Sequence, residues 1–154
     1  MTGVYYGSGS DCHPLRMGEV FHWLFVDVCP NFEEILWKAE TIWEDVTVIT
    51  RTETTLIFQY DEERTCEVQR GNCYDFLDGN FTHCYISGFI PMDEVPADKQ
   101  HNYHKSGTGK FLKRLTRLQV VYVAKFLRFL GDLNEEILKS YTVYEAPDSE
   151  EDCI

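Results

Sequence analysis

The chain has 154 residues, of which 44% are hydrophobic and 14% aromatic, and its formal net charge is −12. This composition suits one folded domain and excludes a disordered chain, and the acid excess disfavours nucleic acid or an anionic membrane as a partner of the whole surface. No signal peptide or apolar segment of membrane-spanning length is apparent, so we expect an intracellular protein, cytoplasmic or nuclear, with mostly reduced cysteines and no membrane contact.

Glycine and serine are frequent at the N-terminus, and acidic residues are frequent at the C-terminus. We therefore expect a flexible N-terminal segment (1–16), a single domain (17–145) and an acidic disordered tail (146–154). Residues 17–29 are apolar on all sides as a helix and almost entirely apolar as a strand. The periodicity slightly favours a helix there but leaves both readings open.

A capped amphipathic helix is predicted for residues 31–45. Asn31 precedes Glu34 by three residues, which is the spacing of a capping box. Apolar side chains then recur at the i, i+3, i+4 and i+7 spacing of one helix face: Phe32, Ile35, Leu36, Ala39, Ile42, Trp43 and Val46.

A period of two replaces the helical period after residue 45. It predicts four strands, at 46–51, 54–60, 64–69 and 81–90. The alternation of Leu56, Phe58 and Tyr60 with polar residues indicates an antiparallel sheet with one face covered. We expect a long loop at 91–107 and a last edge strand at 141–145.

Residues 108–130 have the pattern of a long basic amphipathic helix. Eight of the 14 Lys and Arg residues lie between positions 99 and 131, where there is no Asp or Glu. At 100° per residue, six of these cations fall on one stripe: Lys110, Lys113, Arg114, Arg117, Lys125 and Arg128. The predicted fold class is therefore α+β, with an antiparallel sheet of about four strands covered by the helices 31–45 and 108–130.

Four residues could supply a metal or a thiolate site: Cys66, Cys73, His83 and Cys84. Thiolates and imidazoles are zinc ligands, but the chain has no Cys-x-x-Cys pair and its spacings match no familiar zinc motif. The Gly109-Lys110 pair lacks the earlier glycine and the following Ser or Thr of a phosphate-binding P-loop. We therefore expect no metal, no cofactor and no catalytic residue, and keep a zinc- or cysteine-dependent enzyme as an alternative.

The start of the basic helix resembles that of the double-stranded-RNA-binding domain family. The resemblance rests on residues 107–110, Gly-Thr-Gly-Lys, and on the basic residues Lys113, Arg114 and Arg117 that follow. In that family, a glycine-rich turn and a lysine cluster opening the last helix contact RNA phosphates. The resemblance implies RNA binding through the basic helix, which is our alternative prediction of function.

The leading prediction is a small, non-enzymatic interaction protein whose partner is another protein. Its acidic, aromatic-rich composition without a catalytic motif is similar in character to that of viral and phage antagonists of host defence. Trp37 is expected on the outer side of its helix among Glu33, Glu40 and Glu44, an arrangement typical of an interface anchor. Trp37 and the six cations of the basic stripe are the predicted partner-binding residues.

Overall fold

The computed structural model of the protein describes residues 1–87, 106–124 and 139–146. These described residues form one sheet and two α-helices, α1 (Phe32–Ile42) and α2 (Ser106–Leu112). Short 3-10 helices lie at His13–Arg16 and Cys73–Asp75. The eight strands are β1 (Thr2–Tyr6), β2 (His22–Asp27), β3 (Thr47–Arg51), β4 (Thr55–Asp61), β5 (Arg64–Arg70), β6 (His83–Ile86), β7 (Val120–Ala124) and β8 (Thr142–Ala146).

The sheet is mixed, and most of it is parallel. Its strand order is β3-β4-β5-β2-β1-β6-β7-β8. Six neighbouring strands all run in the same direction, and their order in the sheet is β5-β2-β1-β6-β7-β8. Strand β4 is antiparallel to both of its neighbours, β3 and β5. The N-terminal strand β1 therefore lies near the middle of the sheet, between β2 and β6.

The central strands are apolar on both faces because both faces are covered. Four successive residues are buried in each of β1, β2, β6 and β7. This is the pattern of parallel strands that lie between two layers. Trp43, at the end of α1, packs 4.8 Å from Tyr60 on one face of the sheet. On the other face, Phe111 of α2 packs 5.1 Å from Tyr6.

Helix α1 forms where the sequence predicts a helix. The Asn31 side chain accepts the backbone N–H of Glu34 at 3.1 Å, as the capping-box spacing indicates. Its buried residues recur at the spacing of a single helix face and are Phe32, Ile35, Leu36 and Ala39. The helix ends at Ile42, three residues before the predicted end. Among the described residues, no helix is both long enough and apolar enough to cross a membrane.

The predicted fold class is wrong. Strands β3, β4, β5 and β6 overlap the four predicted strands, but they belong to an eight-stranded mixed sheet, not to a four-stranded antiparallel one. Strand β1 lies in the segment interpreted as flexible, and β2 lies in residues 17–29, where a helix was slightly favoured. The edge strand expected at 141–145 is confirmed by β8.

The prediction of a long basic helix at residues 108–130 is also wrong. Helix α2 ends at Leu112, turns follow, and β7 is a strand that pairs with β6 and β8. The run Val120-Val121-Tyr122-Val123 is rich in β-branched residues, which pack well on a pleated surface and lose side-chain freedom in a helix. Residues 125–130 and the predicted tail after 146 lie outside the described part of the chain, as does most of the loop predicted at 91–107.

Candidate functional site

A glycine-containing turn follows the central strand β1, and we call it the glycine loop (residues 7–11). Gly7 and Gly9 have φ angles of 71° and 57°, in the left-handed region that favours glycine. A Cβ atom added to Gly9 would have no neighbouring atom within 4 Å. The backbone at Gly9 therefore borders open space, where a ligand can approach it closely.

Backbone hydrogen bonds hold the glycine loop in this shape. Gly7 N donates to Val26 O at 2.7 Å, and Asp11 N donates to Ser8 O at 3.0 Å. The Lys38 ammonium of α1 donates to the carbonyl oxygen of Ser10 at 3.0 Å. The loop is thus tied both to β2 and to the helix that follows β2.

Asp27, the last residue of β2, is the side chain that fixes the loop most directly. Its Oδ2 accepts the N–H of Gly9 and its Oδ1 accepts the N–H of Cys29, each at 2.8 Å. The side chain is only partly buried. An ionised carboxylate has about four acceptor positions, so Asp27 retains capacity to accept hydrogen bonds from a ligand.

Ser8 places a buried polar atom in the loop. The residue is 3% exposed, and its hydroxyl has no hydrogen-bond partner in the part of the chain that the structure describes. A buried hydroxyl without a partner is costly, and in native proteins a water or a ligand usually satisfies it. The Ser8 hydroxyl is therefore a group that a bound water or ligand would satisfy.

The sheet topology puts this loop at a special position. From β1 the chain passes to β2, crosses to the edge strand β3 and returns through β4 to β5, then moves to β6 on the other side of β1 and continues to β7 and β8. The strand order therefore reverses between β1 and β6, and in such sheets ligands bind outside the carboxyl ends of the strands at this point. Tyr5 bridges the two sides, since its hydroxyl donates to Asp11 at 2.9 Å and accepts a hydrogen bond from Ser87 after β6.

Space for a ligand is available next to Asp27. A cavity of about 400 Å³ is lined by residues 29–33 and by Arg51 and Arg70. Arg70 is paired in register with Asp27, and Arg51 forms an ion pair with Glu33. The cavity therefore lies beside the end of β2, where Asp27 is located.

The structure separates the residues that the sequence predicted as binding residues. Trp37 is 64% exposed on α1, so it does not belong to the core. Lys110 lies in the last turn of α2, while Lys113, Arg114 and Arg117 lie in the turns before β7, and all four are exposed. The Arg114 guanidinium lies 5.8 Å from the Tyr74 ring. Lys125 and Arg128 lie outside the described residues, so no continuous stripe is present in the described part.

The candidate metal ligands do not come together. Cys66 on β5 is separated from Cys84 on β6 by two strands, a distance of about 14 Å at the usual strand spacing. Both thiols are buried, and burial raises the pKa of each. Burial also lowers the pKa of His83. Within residues 1–87, 106–124 and 139–146, no three His, Cys, Asp or Glu side chains are grouped to hold a metal ion.

Sequence reasoning missed the glycine loop and Asp27, although a signal for them is present. The apolar residues 4–6 are followed by Gly-Ser-Gly, and Asp27 closes a second apolar run 20 residues after Gly7. A strand followed by Gly-x-Gly, with an acidic residue about 20 positions later, matches part of the Gly-x-Gly-x-x-Gly pattern of a nucleotide-binding βαβ unit, whose third glycine is Cys12 here. The pattern has this meaning only if residues 2–6 form a strand, whereas the composition of residues 1–16 predicts a flexible segment.

No protein-family model, no curated protein and no solved structure matches this chain. What the site binds must therefore be inferred from its own residues and geometry.

Proposed function

We propose that the protein binds a ribonucleoside-containing small molecule at the glycine loop, with Asp27 as the acceptor for the ribose hydroxyls. The observation that carries this proposal is the position of Asp27: it ends the strand next to β1 and accepts the N–H of Gly9 at 2.8 Å. An acidic residue at this position hydrogen-bonds the ribose in sheets of the same strand order. Here the six parallel strands are ordered β5-β2-β1-β6-β7-β8, which is that order.

The same geometry disfavours a diphosphate at the loop. Phosphate-binding loops direct several free backbone N–H groups, and the start of a helix, at the anion. Here the N–H groups of Gly7, Gly9, Asp11 and His13 are all bonded within the protein, so no two consecutive amides are left free between positions 7 and 13. A 3-10 helix of four residues follows the loop in place of a long helix.

At the loop itself, the carboxylates of Asp27 and Asp11 favour a ligand group that donates hydrogen bonds or carries positive charge, whereas the adjoining cavity also contains Arg51, which is paired with Glu33, and Arg70. Asp27 and Asp11 present carboxylates on the two sides of the loop, and both are only partly buried. Carboxylates accept from hydroxyl and amino groups and attract a cationic centre. The favoured ligand class is therefore a nucleoside of neutral or positive charge, such as the adenosyl sulfonium S-adenosylmethionine, and not a dinucleotide.

A thermal-stability panel tests this proposal. We expect S-adenosylmethionine, S-adenosylhomocysteine or adenosine to raise the melting temperature, because a ligand at 100 times its Kd stabilises the folded state by about 2.7 kcal/mol. NAD⁺ and ATP at the same concentrations are the matched phosphate-bearing controls, and we expect them to have no effect. Stabilisation by NAD⁺ or ATP alone would contradict the ligand class, and no stabilisation by any nucleoside would contradict the site.

Protein binding through Trp37 is a second candidate function. Its support is the 64% exposure of this large side chain on α1, with the exposed carboxylates of Glu33 and Glu40 beside it in sequence. An exposed aromatic anchor with a polar rim is typical of a binding hot spot. RNA binding was predicted from a stripe of cations on one helix face. In the described residues these cations do not share a helix, so we do not propose RNA binding.

We expect Trp37→Ala to leave the melting temperature unchanged and to weaken partner binding by at least about 1 kcal/mol. The matched control is Trp43→Ala, which removes the ring packed 4.8 Å from Tyr60 and should lower the melting temperature clearly. The measurement pairs thermal melts with affinity capture from the native cell, using wild-type and Trp37→Ala baits. Equal capture by both baits would exclude Trp37 as an anchor.

We also propose that the protein works inside a cell. The five cysteines in the described residues, Cys12, Cys29, Cys66, Cys73 and Cys84, are all free thiols. Free thiols are usual in reducing compartments, where disulfides are rare.

A further inference from the structure

A second cavity lies at the ends of the strands opposite to those that carry the glycine loop. Its volume is about 400 Å³, and it lies where α1 ends, β3 begins and β4 ends. We call it the acidic cavity, because none of its lining residues is basic and it is bordered by two aromatic and four acidic side chains: Trp43, Tyr60, Glu44, Asp45, Asp61 and Glu62. It shares no residue with the proposed nucleoside site and does not depend on it.

The negative charge of the acidic cavity is only partly neutralised by the described residues. Asp61 forms an ion pair with Arg64, with 3.0 Å between Oδ2 and Nη1. Glu44, Asp45 and Glu62 form no ion pair with any described residue. The C-terminus of α1 adds negative partial charge there, and its last turn contains no basic residue. The described residues therefore leave the cavity with net negative charge, which attracts cationic groups.

The aromatic walls favour an organic cation. The rings of Trp43 and Tyr60 lie 4.8 Å apart at an interplanar angle of 58°. An ammonium or guanidinium group over the face of a tryptophan is attracted by the negative π face of the ring. Tyr60 is fully buried, and its hydroxyl has no hydrogen-bond partner among the described residues. An ammonium N–H that reached its oxygen would satisfy this buried group.

We propose that the acidic cavity binds an extended organic cation through its alkylammonium groups, with Trp43 contacting the cation and Glu44, Asp45 and Glu62 neutralising it. These carboxylates border the cavity without forming a metal-binding group among the described residues. Carboxylates that are spread around a cavity in this way suit a ligand whose positive charges are separated along a flexible chain. A free polyamine and the lysine side chains of a peptide offer this same chemistry.

Isothermal titration with spermidine, and separately with an amidated trilysine peptide, tests the proposal on the full chain. We expect at least one probe to bind, with an affinity that falls as salt is added. The Glu44→Gln/Glu62→Gln double variant loses two of the neutralising charges, and Trp43→Ala loses the cation–π contact. In each, affinity should fall at least about 10-fold, which corresponds to about 1.4 kcal/mol. The control is Glu53→Gln, which removes an exposed charge from the β3–β4 turn, at the other end of these two strands. It should leave the affinity unchanged.

The probes and variants also distinguish the alternatives. Binding of spermidine points to a free polyamine, whereas binding of trilysine alone points to a peptide, and both results support the site. If Trp43→Ala does not fold, Trp43→Phe keeps an aromatic face and should weaken binding less than the double charge variant does. Binding of neither probe, unchanged affinity in the double variant, or complete displacement of the probe by equimolar Ca²⁺ would overturn the proposal.

Discussion

Replacing Asp27 by asparagine is expected to weaken the binding of the adenosyl ligand by at least about 100-fold, which corresponds to about 2.7 kcal/mol. The carboxylate accepts the N–H groups of both Gly9 and Cys29, each at 2.8 Å, and an amide has only one oxygen to accept with. The variant therefore disturbs the glycine loop and also removes the charged acceptor for the ribose. Isothermal titration with S-adenosylhomocysteine measures the change.

Glu63→Gln is the matched control for this experiment. It removes the same charge from an exposed residue in the β4–β5 turn, which lies at the opposite ends of the strands from Asp27. Its affinity should equal that of the unchanged protein. Asp27→Asn should also lose about 1–3 kcal/mol of stability, because hydrogen bonds to a charged group are lost, so titrations must be made well below its melting temperature. An affinity within twofold of the control would exclude Asp27 from the ligand site.

Gly3→Ala is expected to lower the free energy of unfolding by about 2–3 kcal/mol, because it overpacks the core. A Cβ at Gly3 would lie 2.6 Å from Cε3 and Cζ3 of Trp23, the residue that faces Gly3 across the β1–β2 pair. Trp23 is fully buried, so its ring cannot move aside into solvent. For a chain of this size, the melting temperature should fall by about 5–10 °C in a calorimetric scan.

Gly18→Ala is the control that separates this clash from a general effect of losing a glycine. A Cβ at Gly18 would meet only Nη2 of Arg64, at 3.8 Å, and the residue is exposed. The Gly3→Ala/Trp23→Leu double variant should lose less stability than the sum of its single variants, since the smaller side chain removes the clash. If Gly3→Ala is as mild as Gly18→Ala, β1 does not pack against Trp23, and the N-terminus behaves as the sequence first indicated.

Local sequence patterns predicted the elements whose signal is local. The capping-box spacing and the period of the apolar residues located α1, and alternating burial located β4. The order and direction of the strands are not local properties. Strands β1 and β6 pair across about 80 residues of chain, and no periodicity in either strand indicates its partner. The parallel sheet was therefore beyond what these patterns could predict.

The error at β7 has a physical cause. A parallel strand covered on both faces is a short, continuous apolar run, and periodicity cannot distinguish such a run from part of a buried helix. The cations before it suggested one helix face because Lys110, Lys113, Arg114 and Arg117 happen to recur at helical spacing. In the structure, only Lys110 is in a helix, and the other three lie in turns.

The site was missed for a related reason. Gly7, Ser8 and Gly9 are residue types that also occur in flexible termini, so their composition alone indicates mobility. Their role follows from the position of β1 beside β2, which places the loop next to Asp27. A site built from residues 20 positions apart on two parallel strands requires the sheet to be known first.

The most direct test of the nucleoside site is a map of backbone amide chemical shifts as S-adenosylhomocysteine is titrated into the isotope-labelled full chain. We expect the largest chemical-shift changes at the amides of residues 7–11 and 27–29, where the loop and Asp27 are joined by hydrogen bonds. The amide chemical shifts of the β4–β5 turn, at the opposite ends of the strands, should remain unchanged. Changes centred away from the glycine loop, or no change at saturating ligand, would contradict the nucleoside site.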